Sequence, residues 1–238
     1  MNCALLGLGC WKRDAGPPEA RDRSKEFEVE ARNRWLTLLC LAVGVTAVGS
    51  SGTVFAQSEN RGAGVLATTI LGVLPGTPLF WHLHTFPDLA QAEAARDERS
   101  AVTQTFGKVW LFTIAEAGWR PTGASVDVAS IGPLPLAGGR YVASYLSAAT
   151  PPGFQTDVHQ HGGPEALFTL DGEVCVETPD GKLVGRAGEP LLIAGGRPMQ
   201  LTSIGTSIRR SIVLVLHDPG QEWKLAASGW LPKRLCGG

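Results

Sequence analysis

The sequence predicts a mainly β protein, a double-sheet jelly roll or closed barrel of short antiparallel strands with a small strand-helix-strand addition on its N-terminal side. Three observations predict it. Thirty glycines and sixteen prolines are scattered along the chain and punctuate short apolar runs, as in a many-turned all-β domain. Asp171-Gly172 lies between two alternating runs and marks a two-residue hairpin, and Pro179-Asp180-Gly181 marks a second turn. A meander of such strands buries one face of each strand and hides its edges by closing on itself.

In chain order, the first feature is a leader over residues 1–56. Arg32 and Arg34 precede an uncharged apolar run, Trp35 to Val48, which ends in small residues and Val54-Phe55-Ala56. A basic flank, a short apolar centre and a small-residue ending make a secretory signal peptide over about 29–56, with cleavage after Ala56. The run is short for a membrane span, which needs about 20 predominantly apolar residues. A retained anchor extending through Ala56 is the alternative. Residues 1–28 are charged and would make an unusually long n-region, whereas a start at Val29 gives a leader of ordinary length. The mature protein is accordingly expected in the periplasm or secreted, with no stable membrane span.

Residues 57–138 form an extension. Ser58 to about Gly76 is apolar and interrupted by glycine, and reads as a loosely attached arm. Leu79–Phe86 reads as a strand, Pro87 to about Arg99 as a helix with Pro87 and Asp88 in its first turn, and Lys108–Ile114 as a strand. Further strands are expected at 124–131, 141–146, 156–161, 165–170, 173–177, 182–186, 191–193, 199–203 and 208–216. The barrel is placed at 139–220 and a C-terminal tail at 221–238.

Beyond Ala56 the chain has 14 basic and 16 acidic residues, a net charge of −2. That balance carries no nucleic-acid footprint, and suits small or uncharged ligands as well as charged ones. Cys175 and Cys236 are the two cysteines beyond the leader. A disulfide between them is allowed in an oxidising compartment. Two free thiols are an equal expectation, because Cys175 lies in an alternating strand and Cys236 in a terminal tail.

The chemistry concentrates at His159-Gln160-His161. Alternate residues of an extended chain share a face, so the two imidazoles project together. Gly162-Gly163-Pro164 then turns the chain, and Glu165 opens the next strand. Two histidines and one carboxylate on one side of a metal leave positions open for substrate or dioxygen, as in non-haem Fe(II) sites. Imidazole also suits Zn, Cu, Ni and Mn, so the divalent metal is not fixed by its ligands.

The run Gly153-x5-His159-x-His161-x3-Glu165-x6-Gly172 resembles the first conserved motif of the cupin superfamily at every defining position. The resemblance spans roughly residues 139 to 217. It implies a cupin barrel of the single-domain, type-2-like kind, a divalent metal on His159, His161 and Glu165, and a fourth ligand from a second motif starting at Gly188. In that motif Met199 stands at the histidine position, Ala194 at a usual proline and Ser203 at a usual asparagine. Position 199 is therefore a soft thioether or an apolar wall, and His217 is a possible replacement ligand, competing with a role as a turn residue partnered by Asp218.

Other features favour plainer accounts. His82 and His84 repeat the His-x-His spacing without a neighbouring carboxylate in sequence, and read as a half-exposed strand face. Arg209-Arg210 reads as a solvated pair, since adjacent strand residues point to opposite faces. Trp81, Trp110, Trp119, Trp223 and Trp230 lie outside the motif and are expected to cover the barrel or a subunit contact. Phe168 and Leu167 are expected to alternate between barrel interior and exterior and to pack the core. Two functions follow: a metal-dependent enzyme, dioxygenase-like in its most natural form, or a non-catalytic cupin that binds or senses a small molecule with Met199 lining its pocket. A homodimer is expected in either case.

Overall fold

A computed structural model describes residues 62–237. The expected leader and its cleavage site lie outside the described residues. The described chain holds fourteen strands and one short helix.

The central sheet has the order β1-β6-β13-β8-β11, all antiparallel neighbours, built from β1 (Gly62–Val73), β6 (Arg140–Thr150), β8 (Glu165–Asp171), β11 (Pro190–Ile193) and β13 (Arg209–His217). Facing it is a sheet of order β10-β9-β12, from β9 (Glu173–Thr178), β10 (Gly181–Arg186) and β12 (Gln200–Ile204). Bridges Gln155–Thr202 and His159–Met199 dock the 153–161 segment on β12. Within that segment only β7 (His159–Gln160) is regular strand, shorter than the expected 156–161, and it pairs with β14 (Leu225–Ala226). Together these elements make the two walls of the jelly roll.

Apolar side chains on one face of the central sheet, Leu146, Leu167, Val213 and Val215, interlock with Val174, Val176, Met199 and Leu201 of the opposite wall. This is the barrel interior. Leu167 points into it and Phe168 points away, as strand alternation requires. Each fully buried aliphatic side chain of this kind contributes roughly 1.5–3 kcal/mol.

The other face of the central sheet is buried too. It packs on a four-stranded sheet of order β3-β4-β2-β5, from β2 (Leu79–Phe86), β3 (Ser100–Thr105), β4 (Lys108–Glu116) and β5 (Val126–Ile131). Trp81, Leu83, Trp110, Phe112 and Ile114 from this layer meet Ala143, Tyr145, Ala166, Phe168, Ile212 and Leu214 from the central sheet. Phe112 and Tyr145 are stacked at 5.2 Å. Trp81 and Trp110 are wholly buried here and cover the barrel's outer wall.

The N-terminal addition thus differs from the expected strand-helix-strand unit. The helix α1 (Leu89–Ala94) occupies only the middle of the expected span, begins after the Asp88 cap and ends at Ala95. The following residues turn into β3, because the Asp97 side chain accepts hydrogen bonds from the Arg99 N–H and the Ser100 hydroxyl, an Asx turn that competes with helix. The arm is a correction as well. Gly62–Val73 is a twelve-residue strand that pairs with β6 through two register shifts, so it belongs to the barrel's own sheet.

The C-terminal tail is integrated rather than separate. Cys175 and Cys236 form a disulfide, so the expectation of free thiols on equal terms gives way to a crosslink between β9 and the tail. The buried Glu177 carboxylate accepts hydrogen bonds from the Lys233 and Leu235 N–H groups, and Lys182 Nζ donates to the Leu235 carbonyl at 2.9 Å. Among the described residues no helix is long and apolar enough to cross a membrane.

Candidate metal centre

His159 and His161 reach the barrel mouth because the chain between Gly153 and His161 is held to β12. Hydrogen bonds run from the Met199 N–H to the His159 carbonyl and from the His159 N–H to the Met199 carbonyl, 2.7 and 3.0 Å. Directly opposed residues of an antiparallel pair point to the same side, so Met199 shares the face of His159. Beyond His161 the chain turns through Gly162-Gly163-Pro164 with almost no room. A Cβ at Gly195 would stand 2.5 Å from the Gly163 carbonyl carbon, and one at Gly163 would stand 2.5 Å from the Leu216 oxygen. That packing seats Glu165 at the start of β8, across from Val215 and Ile193.

The three side chains are buried and adjacent. The His159 and His161 rings lie 5.1 Å apart at 76°. His161 Nε2 is 3.4 Å from Glu165 Oε2, a charge contact longer than a formed hydrogen bond, and that oxygen is buried without a hydrogen-bond partner. Each imidazole has its Nδ1 on a backbone carbonyl, His159 on Asp157 at 2.8 Å and His161 on Trp223. A carbonyl only accepts, so both Nδ1 atoms carry the proton and Nε2 is the atom left to act. Among the described residues no three His, Cys, Asp or Glu side chains already stand at the spacing of a formed metal site.

The electrostatics follow from burial and from this contact. Burial lowers the pKa of His159 below the ordinary histidine value. For His161 burial works in the same direction, but the adjacent Glu165 carboxylate outweighs it and raises the pKa. Burial of Glu165 is likewise outweighed, chiefly by His161 and then by His159 and Arg209, and its pKa falls below the carboxylate range.

Met199 is 1% exposed and sits in the apolar interior cluster, so it forms a wall beside His159. His217 does not join the set. Its Nδ1 faces the Asp218 carbonyl at 3.2 Å and its Nε2 lies 3.0 Å from the Ser144 hydroxyl, which occupies both nitrogens. Two contributors from the tail are not apparent in the sequence: the Trp223 carbonyl that orients His161, and the Trp223 indole stacked over the His161 ring at 6.0 Å and 19°. Their sequence signal is indirect: Trp223 lies in the tail, thirteen residues before Cys236.

Two plain readings are corrected. His82 and His84 are not half-exposed; both are wholly buried beneath Trp119, with ring centroids 5.6 and 5.7 Å from its own. A carboxylate does approach them, since β5 brings Asp127 to 3.8 Å from His84 Nε2. Arg209 and Arg210 do point to opposite faces, but one face is the barrel interior: Arg209 is 3% exposed, while Arg210 pairs with Asp171 at 3.4 Å.

The donor set suits a divalent metal. Two imidazoles with fixed Nδ1 protons and a buried carboxylate oxygen lacking a hydrogen bond are the ligand types, and the outer hydrogen bonds, that such ions require.

No family model matches the chain, and no curated protein matches it. Among solved structures, a cupin family protein with a double-stranded β-helix fold from Methanocaldococcus jannaschii is 18% identical, aligning 30% of this chain with 67% of that one at a TM-score of 0.29. A cupin-2 domain protein from Shewanella frigidimarina is 14% identical over 30% of this chain and 68% of that one, with a TM-score of 0.27. An oxalate decarboxylase from Lactobacillus farciminis is 16% identical over 35% of this chain, and the alignment spans 26% of that enzyme at a TM-score of 0.31. The chain's own strand order, with its two facing walls and the His-x-His segment at one mouth, is a double-sheet jelly roll carrying an extra N-terminal layer.

Proposed function

We infer that this is an exported cupin-domain protein in which His159, His161 and Glu165 hold a divalent metal at the barrel mouth and act on a small molecule, with dioxygenase-like chemistry as the leading form. One observation carries the reading: both histidines spend their Nδ1 protons on backbone carbonyls, and the Nε2 of His161 lies beside a buried Glu165 oxygen that has no hydrogen bond. A bound metal would supply Lewis acidity toward a small molecule at an open position. This chain's residues do the rest. The Asp157 and Trp223 carbonyls fix both ring orientations, Met199 and Trp223 keep the site apolar, and Glu165 balances charge. The Cys175–Cys236 disulfide favours an oxidising compartment, which agrees with the expectation of a secretory leader.

Metal content of the purified protein, prepared without chelator or affinity tag, tests this against a His159→Ala/His161→Ala variant. The expected result is near-stoichiometric Fe, Mn, Ni, Cu or Zn that the variant lacks. Equal metal in both, or none in either after reconstitution with all five, overturns it.

The buried position of Met199 in the apolar interior favours a second reading, a binding or sensing cupin whose pocket needs no metal. Met199→His separates the two. Because position 199 faces the same side as His159, a weakened four-ligand site gains metal affinity from the substitution, whereas a metal-free pocket gains none. A symmetric dimer accompanies either reading, and a monomeric mass by light scattering would reject it.

A further inference from the structure

The interior faces of β13, β6 and β8 change character along the barrel. At one end β8 carries Glu165 of the candidate metal set, and Leu146, Leu167 and Val213 form the next layer. Beyond that layer the same faces turn polar: Ser211 lies opposite Thr169 and Ala148, and Arg209 lies opposite Thr150. All four of these polar residues are buried. Gly172 makes the close approach possible, since its φ is +70° and a Cβ there would stand 2.8 Å from the Arg209 Cα.

Arg209 is the one lysine or arginine buried among the described residues. Its Nε donates to the Thr150 hydroxyl at 3.0 Å, and that hydroxyl lies 2.6 Å from the Ser203 hydroxyl. Its Nη1 has no hydrogen-bond partner, and neither has the Ser211 Oγ or the Thr169 Oγ1 beside it on the same interior face. Burial lowers the Arg209 pKa to about 10, still far above neutrality, so the guanidinium stays charged. A buried, charged fork with one arm unpaired is costly to keep unless a counter-charge meets it. Glu165, one apolar layer away, is the acidic group that acts on it electrostatically, and Glu165 is the residue already assigned to the metal.

We propose that Arg209, flanked by the Ser211 and Thr169 hydroxyls, is a subsite inside the barrel for the carboxylate of a small monocarboxylic acid. A planar guanidinium matches a carboxylate in two parallel hydrogen bonds, and the hydroxyls donate to the remaining lone pairs. One buried cation balances one negative charge, which fits a monocarboxylate better than a phosphate dianion. The inference deepens the small-molecule reading of the barrel but does not require the metal.

The test is thermal melting and calorimetric titration of the purified chain with sodium acetate and sodium butyrate, against sodium chloride at matched ionic strength and against inorganic phosphate. The expected result is a saturable rise in Tm with the carboxylates beyond that with chloride, and affinity at least tenfold weaker in Arg209→Met. Arg209→Met should melt no lower than the parent in carboxylate-free buffer, because a buried unpaired charge is removed. Should that variant fail to fold, Ser211→Ala/Thr169→Val serves instead, with an expected weakening of several-fold. A parent response no larger than with chloride, or one undiminished in both variants, overturns the proposal. So does phosphate binding as tightly as butyrate. Metal assayed on the same samples keeps the two readings apart: metal loss with carboxylate binding intact counts against the metal centre alone.

Discussion

Replacing Cys175 and Cys236 together by serine removes a crosslink that closes a loop of 61 residues. Loop-closure entropy for that length, about 14 cal/mol/K, corresponds to about 4 kcal/mol at room temperature. The tail keeps other attachments in the double variant, namely the two N–H donors on Glu177, the Lys182 contact and the two-residue β14–β7 pairing. These are native-state contacts and do not restrain the unfolded chain, so the full entropic loss is expected. With a urea m-value of about 2 kcal/mol/M, the midpoint should fall by about 2 M. The assay is equilibrium urea unfolding without reductant, followed by tryptophan fluorescence, with the parent in dithiothreitol as a second control. The reduced parent should coincide with the variant. A midpoint shift below about 0.5 M would refute the reasoning, since it would mean that the two cysteines are not joined or that the unfolded tail is confined by something else.

Three further outcomes are expected. His82 and His84 are buried neutral, with burial holding both pKa values below the ordinary histidine value; the unfolded chain takes up their protons first, so stability is whole above about pH 6.5 and falls as pH drops through the folded values. His84→Leu should flatten that acid-side fall in urea midpoints, and an unchanged pH profile would count against it. Leu167→Ala, in the interior layer beside Val213, should cost about 2–5 kcal/mol in the same assay. Gly195→Ala should push the Gly163 backbone away and misplace the turn before Glu165, so a reduced metal content in folded protein is expected, while wild-type content would show that the turn does not seat the ligand.

The barrel was legible from the sequence because its signals are local. The strands from Glu165 to His217 fall within a few residues of their anticipated limits, and Pro179-Asp180-Gly181 turns β9 into its partner β10. Asp171-Gly172 is a correction: it joins β8 to β9 across the two walls, which do not pair there, so it is not the expected hairpin. The His159, His161 and Glu165 grouping follows from strand alternation and one tight turn, and the structure brings the three side chains together. What the sequence withheld is long-range. Gly62–Val73 has no clean alternation because it bulges twice against a partner more than sixty residues away. Asp127 reaches His84 only through sheet pairing, and Trp223 reaches His161 only because the tail folds back across the mouth. Arg209 illustrates the limit best: alternation correctly separates it from Arg210, but it does not say which side is the interior.

The central sheet, covered on both faces, bears on how the protein can be dissected. Its edge strand β1 comes from the N-terminal extension, its middle strand β13 from the far end of the barrel, and its outer face is roofed by the β2–β5 layer. A fragment cut at residue 139 would expose the aromatic face around Tyr145 and Phe168 and leave β6 as a raw edge. The stretch most similar to cupins is therefore not a portable module. Amide exchange should report the same indivisibility, with β13 and the Trp110–Ile114 segment losing protection together in a single opening event.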